Sequence, residues 1–215
     1  MGSLFITFEG GEGAGKTTQI NRLAQSLTNE GYKVITTREP GGTPEAEKIR
    51  DLLVQRDSGK WSPISEALML FAARSLHVQR VIKPALDDGH IVICDRFTDS
   101  TRAYQGYGHN LDLKIIEDLK QTVLGGLEPD MTFILDIDPK TGLGRSERRL
   151  ASEALDIKQK EDRFESLDIT FHEKLRQGFL EIAKNNKDRC IVMDASKSLN
   201  TMAENILKTV KTRLG

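Results

Sequence analysis

A glycine-rich segment near the start of the chain has the residue types that bind nucleoside triphosphates. Gly10-Gly11-Glu12-Gly13-Ala14-Gly15-Lys16-Thr17 fits the pattern G-x-x-x-x-G-K-[ST], and Thr18 follows it. Glycines let backbone N–H groups turn toward phosphate oxygens, and a helix that begins here adds its partial positive charge. We expect Lys16 to reach the β- and γ-phosphates of ATP and Thr17 to bind magnesium. The segment therefore predicts a phosphate-binding loop (P-loop).

A second candidate site follows the apolar run Ile91-Val92-Ile93-Cys94, which ends in Asp95 and Arg96. In a parallel sheet the carboxyl ends of the strands surround the ligand crevice. Asp95 is then placed to hold magnesium directly or through water, and Arg96 to contact transferring phosphate oxygens. The alternative is an ion pair between the two at the end of a strand.

Three further segments offer groups for an acceptor molecule. Arg38 begins Arg38-Glu39-Pro40-Gly41-Gly42-Thr43 after the second predicted strand, and it is placed to grip a phosphate. The run Leu70-Phe71-Ala72-Ala73-Arg74 puts an apolar side chain and an arginine one helical turn apart, which suits a base and its carbonyl. Hydroxyls and an amide for a sugar and a base edge come from Ser100, Thr101, Tyr104 and Gln105. Taken alone, these segments also fit a turn, a packed helix face and a helix end.

The elements that must position these residues alternate between short β-branched runs and longer helical patterns. This alternation is typical of a parallel sheet flanked by helices in one α/β domain, here residues 1–215. The predicted strands are Leu4 to Phe8, Lys33 to Thr36, Ile91 to Cys94, Thr132 to Ile137 and Ile191 to Met193. Apolar helix faces are predicted at Ile20, Leu23, Leu27 and at Leu199, Met202, Ile206, Val210.

Two helical or flexible segments complete the organisation. Ser62-Pro63 predicts the start of a long helix that runs to about Leu86 and is kinked by Pro84. Residues 144–163 carry many charges and little apolar surface, so we interpret them as a mobile lid.

Composition limits the partners and the compartment. The 215 residues include 31 basic and 32 acidic side chains, so no global field recruits nucleic acid or an anionic membrane. Cys94 and Cys190 lie in apolar runs and are expected to be buried free thiols. No apolar stretch approaches the roughly 18 residues that span a bilayer. We expect a cytoplasmic protein.

A P-loop by itself does not say what happens to the triphosphate. No N-K-x-D motif is present, which disfavours a GTPase, and a motor ATPase is usually larger. A small kinase is the leading interpretation. The rivals are a kinase for another monophosphate or for a deoxynucleoside, and a regulatory module that hydrolyses ATP slowly.

The chain resembles the bacterial thymidylate kinases from end to end. The matching segments are Phe8-Glu9-Gly10, Glu12 to Thr18, Arg38 to Thr43, Asp95-Arg96-Phe97, Ser100-Thr101, Ala103-Tyr104-Gln105-Gly106, Leu135-Asp136 and Asp194-Ala195. The resemblance implies a P-loop nucleoside monophosphate kinase fold with a five-stranded parallel sheet, a homodimer, and magnesium. It also implies the reaction of ATP and dTMP to ADP and dTDP, in dTTP biosynthesis.

The resemblance further implies residue roles. Arg38, Arg50 and Arg96 lie at the acceptor phosphate, Arg74 and Thr101 read the thymine, and Gln105 borders it. Tyr104 packs beneath the deoxyribose and disfavours a 2′-hydroxyl, Glu12 lies near the sugar and magnesium, and the loop from Asp194 to Ser198 borders the adenine.

Two features concern how this chain differs within the family. Its P-loop carries no arginine, whereas the lid offers Arg145, Arg148 and Arg149, so it looks like the lid-arginine type. We expect Arg149 to act on the γ-phosphate and Arg145 to lie on the adenine side. The family usually has phenylalanine four residues before the base-reading arginine, where this chain has Leu70, with Phe71 next to it; either side chain is a candidate to cover the base.

Overall fold

The computed structural model describes residues 2–55, 59–152 and 163–215 and contains one five-stranded parallel sheet. The predicted α/β class and all five predicted strands are confirmed, with ends that differ by one or two residues. The strands are β1 (Leu4–Glu9), β2 (Val34–Arg38), β3 (Ile91–Asp95), β4 (Met131–Asp136) and β5 (Cys190–Asp194).

Several of the helices begin at a residue whose side chain caps them. Thr43, Ser62, Asp168 and Ser198 each accept a backbone N–H from the first turn of their helices. The helices are α1 (Lys16–Asn29), α2 (Pro44–Val54), α3 (Pro63–His77), α4 (Lys83–Asp87), α5 (Thr98–Thr101), α6 (Leu113–Leu124), α7 (Pro139–Ser152), α8 (Ile169–Asn185) and α9 (Leu199–Leu214). Two π-helical segments, Val78–Ile82 and Arg102–Gly108, continue α3 and α5.

The sheet order places the ends of the strands around one crevice. The order is β2-β3-β1-β4-β5, with every neighbouring pair parallel, so all five carboxyl ends lie at one edge. Each strand ends in a charged residue there: Glu9, Arg38, Asp95, Asp136 and Asp194. The P-loop leaves β1 at the centre of this edge.

Helices cover both faces of the sheet. On one face, side chains of α1 and α9 pack on β1, β3 and β4, including Leu23, Leu27 and Ile206. On the other face, α8 packs under β4 and β5 while the π-helical segment 78–82 packs under β3. The strands are therefore held rigidly from both sides, which suits a site built at their ends.

The predicted kink at Pro84 takes the form of a π-helical segment before it. Helix α3 runs to His77, residues 78–82 form the wider turn, and α4 then begins with Pro84 in its first turn. Proline has no N–H to donate and its ring crowds the carbonyl one turn earlier, so the widened turn accommodates it.

The thiols of Cys94 and Cys190 are free and buried, as predicted, and burial raises the pKa of Cys190 to about 12. Among the described residues, no helix is long and apolar enough to cross a membrane.

Replacing Phe133 by alanine should destabilise the protein by about 3 to 5 kcal/mol, because it leaves a cavity at the centre of the sheet. Phe133 is fully buried, and its ring lies 5.2 Å from that of Phe8. Urea unfolding of Phe133→Ala would measure the loss. Val192→Ala on β5, where 45% of the side chain is exposed, is the control and should lose less than about 1 kcal/mol. Equal losses would contradict the assignment of the core.

Candidate active site

The P-loop connects β1 to α1 through glycines that other residues would replace poorly. Gly13 and Gly15 have positive φ angles of 64° and 90°, and Gly15 caps α1. Lys16 is buried, and its Nζ donates to the carbonyl oxygens of Gly10 (3.2 Å) and Gly11 (3.1 Å). Burial and the nearby Arg96 lower the pKa of Lys16. The Lys16 ammonium group thus lies against the P-loop, where we expect it to contact phosphate oxygens.

Helix α7 begins against the P-loop because two glycines face each other. A Cβ atom built on Gly13 would lie 2.0 Å from the carbonyl oxygen of Gly142, and one on Gly142 would lie 2.4 Å from that of Glu12. This contact sets the position of Arg145, whose Nη1 donates to the carbonyl oxygen of Ala195 at 3.1 Å. Arg145 therefore links the P-loop side to the 194–198 loop, where the sequence predicted the adenine.

Asp95 and Thr17 meet at the end of β3. The Thr17 hydroxyl donates to Asp95 Oδ2 at 3.2 Å. The other carboxylate oxygen, Oδ1, is buried and has no hydrogen-bond partner among the described residues. An unsatisfied carboxylate oxygen beside a hydroxyl is a donor set suited to Mg²⁺. No group of three or more His, Cys, Asp and Glu in the described part of the chain is arranged to hold a metal.

Arg96 is fixed at the centre of the site by its backbone and by three partners. Its φ angle is 67°, a left-handed conformation that few non-glycine residues adopt. Its Nη1 donates to Gly10 O (3.0 Å) and Ser100 Oγ (3.2 Å), and its Nη2 donates to Glu12 Oε1 (3.0 Å). The guanidinium lies 5.0 Å from the centre of the Tyr104 ring. Such a fixed cation is suited to phosphate oxygens.

Glu12 is the carboxylate that faces these cations. It also accepts a hydrogen bond of 2.5 Å from the Tyr104 hydroxyl. Burial acts to raise the pKa of Glu12, but Arg96 and Lys16 outweigh it and lower the pKa to about 2. Glu12 is therefore an anion at neutral pH.

A cavity beside the P-loop collects most of the predicted acceptor residues; we call it the acceptor cavity. Leu70 lines it, whereas Phe71 is buried in the core with its ring 4.7 Å from the Arg74 guanidinium carbon. The alternative in which Phe71 covers the base is therefore not supported. The lining residues include Glu12, Arg50, Leu70, Arg74, Arg96, Phe97, Ser100, Thr101, Tyr104, Gln105, Phe164 and Glu165.

Arg74 and Gln105 line this cavity, and each has one polar atom without a partner among the described residues. Arg74 is 2% exposed, and it donates from Nε to Glu39 (2.6 Å) and from Nη2 to Phe97 O and Thr101 Oγ1. Its Nη1 and the Oε1 of Gln105 are buried and unpaired within the described ranges. Buried polar groups are rarely left unsatisfied, so these two atoms are candidates to bind a ligand.

The remaining acceptor residues lie where the cavity joins the P-loop. Glu12, Arg50 and Arg96 line both the acceptor cavity and the larger cleft around residues 12–18. Arg50 donates to Pro40 O at 3.0 Å. Arg38 lines only the larger cleft, where it pairs with Glu47 at 3.1 Å and stays about half exposed.

Several buried carboxylates that organise the site were not predicted. Glu39 pairs with Arg74 and His77, Glu9 accepts from Phe97 N (2.8 Å) and Ser100 Oγ (2.5 Å), and Glu66 accepts from Gln105 (2.8 Å). A signal for Glu66 was present, because Glu66, Leu70 and Arg74 follow one helix face at intervals of four residues. Glu9 and Glu39 lie in segments that the sequence singled out for other residues.

The predicted lid at residues 144–163 is described only at its two ends. Residues 144–152 continue α7 as helix, residues 153–162 lie outside the described residues, and Arg163 follows them. Arg148 is exposed and donates to Gly144 O within its own helix. The backbone of Arg149 belongs to α7, but its side chain lies outside the described part.

The sheet order, the P-loop and the adjoining acceptor cavity define a P-loop nucleoside monophosphate kinase. The family model for thymidylate kinase matches residues 8–206. The chain belongs to the thymidylate kinase family, whose members phosphorylate dTMP to dTDP with ATP.

Individual relatives agree over nearly the full length. The chain is 50% identical to the thymidylate kinase of Caulobacter vibrioides over 211 residues, covering 98% of this chain and 97% of the relative. It is 46% identical to that of Magnetococcus marinus over 213 residues, covering 99% and 98%. The crystal structure of thymidylate kinase from Ehrlichia chaffeensis is similar with a TM-score of 0.77 and 37% identity, covering 98% of this chain and 99% of that one.

Glu9 generates a prediction about pH. Burial and the neighbouring Asp99 raise the pKa of Glu9 to about 7, against 4.5 for an ordinary glutamate. The folded protein therefore keeps the Glu9 proton up to about pH 7, whereas the unfolded chain releases it near pH 4.5. The free energy of unfolding should fall as the pH rises from about 4.5 to about 7.

Glu9→Gln should remove this part of the pH dependence. Between about pH 5 and about pH 8, the wild type should lose roughly 2 to 3 kcal/mol more unfolding free energy than the variant. Urea unfolding at the two pH values measures the difference. Glu204→Gln on the exposed face of α9 is the control and should follow the wild type. Parallel pH profiles for the wild type and Glu9→Gln would contradict the proposed state of Glu9.

Proposed function

We propose that this chain binds ATP in the P-loop and dTMP in the acceptor cavity, and that the γ-phosphoryl group passes directly between them. The observation that carries the proposal is the shared wall of the two cavities, formed in part by Glu12, Arg50 and Arg96. A phosphate entering from the acceptor side and a γ-phosphate held by Lys16 would meet at this wall.

The unpaired atoms of the acceptor cavity support thymine as the base. Arg74 Nη1 is a donor and Gln105 Oε1 is an acceptor. Thymine presents a matching pair on one edge, the O4 carbonyl and the adjacent N3–H. Cytosine presents the reverse pattern, an amino donor and a ring-nitrogen acceptor. The Arg74 donor would then face the amino donor, and the Gln105 acceptor would face the ring-nitrogen acceptor.

The sugar would lie over Tyr104, as the resemblance implies. The Tyr104 ring is buried, and its hydroxyl is already engaged by Glu12. Leu70 is the side chain placed to cover the base, which gives an aliphatic contact in place of an aromatic one. Thr101 lines the same cavity and holds Arg74, so it acts on the base through that arginine.

Catalysis would depend on position and charge. The acceptor phosphate is itself the nucleophile and is already ionised near neutral pH, so no strong general base is required. Lys16, Arg96 and a lid arginine would surround the transferring group and stabilise its charge. Closure of the lid would exclude water, so that ATP is not simply hydrolysed.

Magnesium fits the residues at the end of β3. Asp95 Oδ1 and the Thr17 hydroxyl would hold the ion, directly or through water. Glu12 lines the same cleft as these two residues. When bound, the ion would neutralise charge on the β- and γ-phosphates of ATP.

Arg145, which donates a hydrogen bond to Ala195 O, would border the adenine of ATP.

A homodimer is supported by an exposed apolar face on three helices. Helix α3 packs against both α2 and α6, and these three helices expose Leu52, Ile64, Leu68, Leu113 and Ile115. Exposed apolar side chains on helices that pack side by side are typical of protein interfaces. The buried free thiols and the small-molecule substrates support a cytoplasmic location.

Replacing Arg149 by alanine should lower dTMP-dependent ADP formation by about three orders of magnitude, because an arginine at the γ-phosphate would be lost. The assay follows ADP from Mg-ATP with dTMP, dUMP, dGMP and thymidine in turn. Arg148→Ala, which removes an exposed neighbour, is the matched control and should stay close to the wild type. A collapse in Arg148→Ala instead would move the catalytic role to Arg148, and turnover indifferent to dTMP would contradict the proposed function.

Leu68→Glu should convert the dimer to a monomer, because it places a charge in the middle of the proposed interface. Light scattering coupled to gel filtration would report the mass. Val192→Glu, which alters an equally exposed apolar residue on the edge strand β5, should remain dimeric. A monomeric wild type would contradict the proposed assembly.

A further inference from the structure

Glu66 places one carboxylate oxygen on Gln105, which lines the acceptor cavity, and the other on Arg163 at the end of the predicted lid. It lies in α3 and is 1% exposed. Its Oε2 accepts a hydrogen bond of 2.8 Å from Gln105 Nε2, and its Oε1 accepts one from Arg163 Nη2. One buried carboxylate thus joins three separated parts of the chain.

The contact with Glu66 fixes the direction of the Gln105 amide. An ionised carboxylate only accepts hydrogen bonds, so Gln105 must turn its NH₂ group toward Glu66. The amide oxygen Oε1 is then left on the other side. Gln105 lines the acceptor cavity, and Oε1 is buried without a partner in the part of the chain that the structure describes.

Arg163 supplies the positive charge that pairs with the Glu66 carboxylate. Its Nη1 also donates to Leu53 O at 2.8 Å, and its guanidinium carbon lies 5.0 Å from the centre of the Phe164 ring. Burial lowers the pKa of the neighbouring His109, so near neutral pH Arg163 is the cation beside Glu66. A buried carboxylate without such a cation would favour its protonated state.

We propose that Glu66 is a positioning residue for base selection, because it forces Gln105 to present an acceptor to the base and Arg163 holds it in that role. The inference rests on the proposed binding of dTMP in the acceptor cavity. It assigns the preference for a base with an N3–H group to a residue that does not itself line that cavity.

The test compares bases whose N3 and C4 positions carry opposite patterns of donor and acceptor. In Glu66→Gln the side chain at position 66 keeps its size but can donate its amide hydrogens to Gln105 Oε1, so the Gln105 amide is free to turn its NH₂ group toward the base. The ratio of kcat/KM for dTMP to that for dCMP should then fall by about tenfold or more. Arg74 still opposes cytosine, so some preference for thymine should remain.

A chemical control separates this effect from general damage. Uracil has the same O4 and N3–H edge as thymine, so the ratio of kcat/KM for dTMP to that for dUMP should stay as in the wild type. Asp88→Asn, in the exposed loop before β3, is the control for loss of a carboxylate and should change neither ratio.

Variants of Arg163 test the same inference if Glu66→Gln folds poorly. Arg163→Met would remove the partner of Glu66 Oε1, so the carboxylate would no longer be held toward Gln105 and the dTMP to dCMP ratio should again fall. Arg163→Lys keeps the cation and should restore the ratio toward that of the wild type.

The outcomes are distinct. A selective fall of the dTMP to dCMP ratio in Glu66→Gln or Arg163→Met supports the inference, whereas equal losses for all three monophosphates would overturn it and leave Glu66 a structural residue. A wild type that does not phosphorylate dTMP would instead overturn the proposed function, and the inference with it.

Discussion

The site depends on two arginines that are held by paired carboxylates. Arg74, which is buried, donates to Glu39 at 2.6 Å, and the partly buried Arg96 donates to Glu12 at 3.0 Å. Removing one partner of a buried pair leaves an uncompensated charge, which typically costs about 3 to 5 kcal/mol. The position of each guanidinium is thus fixed by folding itself. Because the pairs use only some of the donors of Arg74, the remaining Nη1 stays available for a ligand.

The pairs exist because the parallel sheet brings distant carboxylates and arginines to one edge. Glu9 ends β1, Glu39 follows β2, and Arg96 follows β3, and these three strands are neighbours. The left-handed backbone at Arg96 is stabilised by two hydrogen bonds, from its own N–H to Phe8 O and from Phe97 N to Glu9. The strained turn and the buried acid therefore support each other, and both face the P-loop.

The sequence predicted the elements better than the contacts between them. The strands, the P-loop and the starts of α1 and α3 follow from local patterns of apolar, glycine and capping residues, and they are where we expected them. The burial of Arg74 was not predictable in this way, since an arginine on a helix is usually solvated. Glu66 and Arg163 are far apart in the sequence, so no local pattern indicates their pairing. The sequence left Leu70 and Phe71 as alternatives to cover the base, because helix register could not be read locally; in the fold, Leu70 lines the acceptor cavity.

Selectivity and catalysis then have a common physical basis. Donors and acceptors that are fixed before a ligand binds need little reorganisation, so more of their interaction energy is realised on the ligand. Arg74 and Arg96 are both fixed by carboxylates, and we propose that the first faces the base and the second the phosphates. A shift of either arginine would misplace the reacting groups as well as weaken binding. The opposite charges nearly cancel over the whole chain, yet locally they hold cationic donors toward the cavities in which we propose that two anions bind. The near-neutral net charge is therefore compatible with a strongly polar site.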